Sequence, residues 1–73
     1  MKQIEKLRVL IPHWIEHNEE HAGEFRSWAD EAGVAAGDIL EAADYMSRLN
    51  QSLEIALEKL GGPLPHTHGE YHL

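Results

Sequence analysis

The histidines of this chain occur in two places. His13, His17 and His21 follow one another at four-residue steps within "PHWIEHNEEHAGEF", and each is followed three residues later by a glutamate: Glu16, Glu20 and Glu24. His66, His68 and His72 fall in "PLPHTHGEYHL", with Glu70 among them. Residues four apart on a helix have Cβ atoms about 5–6 Å apart, a spacing at which two imidazoles can grip one metal ion. His-x-His places two rings on the same side of an extended segment. There is no cysteine, so the donors are nitrogen and carboxylate oxygen. That set fits Ni, Co, Zn, Cu(II) or non-haem Fe. The candidate ligands are therefore His13, His17, His21, His66, His68 and His72, with Glu20 and Glu24 as carboxylate candidates.

Each of these residues also has an ordinary reading. Histidine on the flank of a helix commonly does no more than hydrogen-bond to a carbonyl or to water, and glutamate beside it is commonly a solvated face. A histidine-bearing terminus can be a disordered end or a purification tag, although tags are normally uninterrupted histidine runs. The ladder of three on one helix and the His-x-His pair together favour metal over these readings.

The elements that must position the histidines are helical. "MKQIEKLRVLI" has Ile4, Leu7 and Ile11 at helical spacing, or ends in a short extended stretch from Leu7 to Ile11. Pro12 suits a first helical position and disrupts an interior one. The main helix is therefore expected from Pro12 to Ala32, with residues 3–10 a separate or kinked piece. Gly33 is a natural stop, and "GVAAGD" is the turn. Asp38 and Glu41 are spaced as a capping box. A second helix then runs to Leu60, with Ile39, Ala42, Met46, Leu49, Leu53, Ala56 and Leu60 as a coiled-coil-like seam. Gly61, Gly62 and Pro63 end it.

The predicted architecture is all-α: an antiparallel helical hairpin over residues 1–60, helices 12–32 and 38–60, with a histidine-rich tail over 61–73 that folds back. With the turn near 33–37, Leu60 falls level with about Pro12. At roughly 3.3 Å per residue the tail then reaches back along one to three turns of the first helix. On a helical wheel of about 100° per residue, His17 and His21 overlap Trp14 and Trp28 at the edge of the apolar face, and the glutamates border them outside. Asn18 and Asn50 face inward. They either pair and fix the register, or Asn50 orients the His21 ring. One hairpin covers its apolar stripes poorly. Two copies are expected to pair as a four-helix bundle, or the N-terminal piece to add a layer.

Seventy-three residues make one small domain, of a size that usually needs a metal, a staple or a partner. The net charge of −7 argues against nucleic acid and anionic membranes. No apolar run is long enough to span a bilayer and nothing at the start reads as a leader, so the expected location is cytoplasmic.

Three local resemblances bear on function. "LIPHWIEHNEEHAGEFRSWA" resembles a small family of uncharacterised histidine-rich two-helix proteins with histidine-rich tails, which implies a fold and no activity. "NEEHAGEF" resembles a metal-binding helix of hemerythrin-like proteins. Those hold two irons with ligands from four helices. Here the second helix has no histidine, and Glu41, Asp44, Glu54 and Glu58 lie off its seam, so the di-iron site does not carry over. Ferritin-like sites use Glu-x-x-His, whereas this chain has His-x-x-Glu. The His-x-His tail resembles those of nickel and cobalt accessory proteins, which sequester or deliver the ion.

Three function classes follow. The first is a nickel, cobalt or zinc chaperone, store or sensor, acting as a homodimer and serving a metal transporter or metalloenzyme client. The second is a helical interaction module with incidental histidines. The third is a small metalloenzyme with Glu20 or Glu24 as general base, for which no nucleophile–base motif or phosphate loop speaks.

Overall fold

The structure is a computed structural model that describes residues 2–64. Two long helices, α1 (Gln3–Ala29) and α2 (Ala36–Leu60), lie against each other, joined by a short connection that ends in a 3-10 turn, Gly33–Ala35. The result is an antiparallel slab one helix thick, 48 × 25 × 14 Å in extent.

The break expected at Pro12 does not occur. α1 runs unbroken from Gln3 to Ala29 with Pro12 in its interior, so residues 3–10 are neither a separate piece nor extended at 7–11. Proline lacks the N–H that would have bonded to the carbonyl four residues back, here Arg8. That carbonyl is not left bare: it accepts the N–H of Leu64, which returns from the end of α2, at 3.2 Å. The helix tolerates Pro12 because another segment supplies the missing donor.

The other boundaries shift for local reasons. α1 stops at Ala29, three residues before the expected Ala32. Its end tightens through i→i−3 bonds, Glu31 N–H to Trp28 O and Ala32 N–H to Ala29 O, both at 3.0 Å. Gly33, at φ +58°, sits inside the connection rather than at the helix stop. α2 begins at Ala36, two residues early, and its preceding residue Ala35 makes no side-chain cap. The Asp38–Glu41 capping box is not formed, because the helix grows directly out of the 3-10 turn and Asp38 is already inside its first turn. The C-terminus of α2 ends as expected. Gly61 adopts φ +112°, its N–H bonds to Glu58 O, and the N–H of Gly62 bonds to Leu57 O, a Schellman pair.

The core also departs from the wheel reading. Buried apolar residues are Val9, Ile11, Ala22, Ala29, Ala43 and Leu57. Three of the six are alanines, which let the two backbones approach closely. Indoles do not fit such a gap, and Trp14 and Trp28 sit on the flank, Trp28 at 67% exposure. On α2 the buried positions are Ala43, Asn50 and Leu57, spaced by seven, while Leu49 of the expected seam is 48% exposed. Asn50 is 5% exposed. Its Oδ1 accepts from Asn18 Nδ2 at 3.0 Å, and its Nδ2 donates to Ile15 O at 3.1 Å. The asparagine pair fixes the register, with Asn18 beside Asn50. Leu60 is thereby carried level with Arg8, one turn beyond the expected Pro12.

Candidate functional site

Because α1 is a continuous helix through residues 13–24, the three helical histidines and their glutamates rise along one surface. His13 is half-buried and its Nε2 atom is buried. His17, Glu16, Glu20 and Glu24 are exposed. The His21 side chain is 59% exposed, and its Nδ1 lies 3.4 Å from Glu24 Oε1, one turn on. That i,i+3 contact holds the ring loosely, since both groups are largely in water. Among the described candidate ligands, His21 and Glu24 are in contact. Among the described residues no group of three histidine, aspartate or glutamate side chains is clustered tightly enough to hold an ion. His66, His68 and His72 lie outside the described residues, as does Glu70.

The position of His21 differs from the expected one. It does not border the core, because the core line of α1 runs through Ile11, Ala22 and Ala29. By the helical repeat of about 100° per residue, His21 points roughly at right angles to that line. Asn50 does not orient it either: the amide is committed to Asn18 and to the Ile15 carbonyl.

The feature that sequence reasoning missed is Arg8. Its Nε donates to Gly62 O at 2.6 Å and its Nη2 to Gly61 O at 2.9 Å, while its own carbonyl accepts from Leu64. One residue thus holds the chain leaving α2 through three hydrogen bonds. A cation at a helix C-terminus also meets the negative end of the helix dipole. Gly61 is required twice in this clasp, by its left-handed φ and by the guanidinium, since a Cβ there would meet Arg8 Cζ at 3.2 Å. A trace of this was present in the sequence. Arg8 stands four residues before Pro12, where a freed carbonyl needs a donor from elsewhere.

Residues 7–60 match the profile of a family described as Domain of unknown function (DUF8180). The matched span contains most of α1, including His13, His17 and His21, and all of α2, and it ends before the tail. No curated protein and no solved structure matches the chain. These comparisons lend no support to the hemerythrin-like or nickel accessory resemblances.

Proposed function

The chain belongs to the DUF8180 family, a domain of unknown function, and from its own residues we propose that it is a divalent transition-metal-binding protein, using imidazoles of α1 together with those of its C-terminal residues. Nickel, cobalt and zinc suit the donor set first, copper and iron second. The role is that of a chaperone, store or sensor, acting in the cytoplasm as a homodimer and exchanging the ion with a metal transporter or metalloenzyme client.

The observation that carries this reading is the clasp at Arg8. It fixes Leu64 beside α1 five residues before His13, about 7.5 Å along the axis. His66 and His68 follow Leu64 by two and four residues, a reach of roughly 7–13 Å when extended. His13 is within that reach. His72, eight residues on at up to about 26 Å, has length enough for the turn of His21. Tail and ladder are thus tethered at short range, which raises the effective concentration of one ligand set near the other. The helix contributes His13, His17 and His21, with Glu20 and Glu24 as carboxylate ligands or as acceptors for a ring N–H on the far side of the metal. The existing His21–Glu24 approach, Nδ1 to Oε1 at 3.4 Å, puts a carboxylate beside a ring nitrogen, where the second role would need it.

Calorimetric titration of protein purified without a nickel column tests the reading. Binding of nickel, cobalt or zinc at micromolar or tighter is expected, weakening in acid because a protonated imidazole has no lone pair left for the ion. The double variant His17→Ala/His21→Ala should lose at least tenfold in affinity, and Glu19→Ala should lose almost none. A chain that binds none of these ions tighter than millimolar overturns the proposal. One observation favours the interaction-module reading: several large apolar side chains are exposed, among them Trp28, Tyr45 and Leu49.

A further inference from the structure

Arg26 crosses from α1 to Ser47 Oγ at 3.0 Å and to Asp44 at 3.6 Å, which marks one broad side of the slab as polar. The opposite side is different. On α1 it carries Leu7, Trp14, His21 and Trp28 at steps of seven, with His17 beside them, and Glu24 stands at its outer rim, its carboxylate 3.4 Å from the His21 ring. On α2 it carries Leu49, which is exposed, and Asp38 at the first turn; Tyr45, with the Arg48 guanidinium 5.6 Å from its ring centre, stands at its outer edge. The charged residues are gathered on the outer edges and the far side.

We infer that this side is covered by a second copy of the chain, so that two hairpins close into a four-helix bundle with His17 and His21 of each copy in the seam. The inference rests on the dimeric part of the reading above and names its surface. Three observations select a second copy as the occupant. The hairpin by itself buries six apolar residues, half of them alanine, too thin a core for a free-standing fold of this size. The seven-residue spacing of the stripe, exposed at Trp14, His21 and Trp28, is that of a seam between helices, which a like stripe fills by knobs-into-holes packing. The area is also right. Helices of 25–27 residues are about 38–40 Å long, and two side by side span about 18–20 Å. That offers roughly 700–800 Å² per copy, against about 800 Å² per partner in a stable complex. In this assembly His21 points into the covered side, so metal binding and association act on the same ring.

Sedimentation equilibrium of the full chain, with and without chelator, tests this. A dimer is expected at tens of micromolar in both conditions. Trp28→Glu and Leu49→Glu should each weaken association at least tenfold. Ile55→Glu, at an equally exposed apolar residue off this side, should leave it unchanged. Should the glutamate variants fail to fold, wild-type fluorescence still decides. Trp14 and Trp28 are the two tryptophans, and dilution through the dimer–monomer range should shift their emission to the red. A wild-type chain that is monomeric throughout, or whose association ignores Trp28→Glu and Leu49→Glu, overturns the inference. A monomer that binds metal sinks this inference alone, and a dimer that binds none sinks the metal reading alone.

Discussion

Asn50 shows how a polar residue at a buried position earns its place. Its amide satisfies a side chain and a backbone carbonyl of the opposite helix at once. Truncation leaves Asn18 without that acceptor and loses the bond to Ile15 O. Asn50→Ala is expected to lower stability by about 1–3 kcal/mol, read as a lower urea midpoint at unchanged slope. The inward position of Asn18 and Asn50 was legible from the sequence, because both fall among apolar positions at helical spacing, and the structure selects their pairing over the alternative in which Asn50 orients His21. The histidines of α1 rise along one surface as their spacing implied, but their bearing relative to the core was misread. The wheel took its bearing from Trp14 and Trp28, the largest apolar residues of α1. The alanines decide the matter instead, because close backbone approach excludes an indole.

At the scale of elements, the hairpin, its turn and the C-terminal end of α2 were readable, and Pro12 and the other helix ends were not. A proline in a helix interior costs about 3 kcal/mol in isolation. Local rules therefore put a boundary there, and they cannot see a donor arriving from Leu64. Two substitutions separate the parts of this arrangement. Arg8→Ala removes both guanidinium bonds to the carbonyls of Gly61 and Gly62. It should lower stability by about 1–2 kcal/mol and weaken metal binding several-fold with every histidine intact. Pro12→Ala restores a local donor to the Arg8 carbonyl. It should raise the thermal midpoint while the Leu64 amide, now in competition, exchanges faster with deuterium. A Leu64 amide that exchanges at the unprotected rate in the wild type would contradict the clasp.

At the scale of the molecule, the antiparallel all-helical hairpin could be read from periodicity and from the glycines at its turns. The register could not, and it differs by one turn. It is set by the asparagine pair and by where the tight connection ends, not by matching helix lengths. That one-turn shift brings the root of the tail to Arg8, and the metal reading depends on it. Each copy carries a net charge of −7. Added salt should therefore screen repulsion between copies and tighten their association, measured as a falling dimer dissociation constant.

The central claim is that histidines from α1 and from the C-terminal residues meet on one ion. Histidine-ring NMR of the full chain during a zinc titration tests it most directly. The account predicts that rings of the ladder, His17 and His21 among them, and rings of His66 and His68 shift together and stop shifting at the same zinc-to-chain ratio. Tail rings that saturate while every ring of α1 stays at its metal-free position would contradict it.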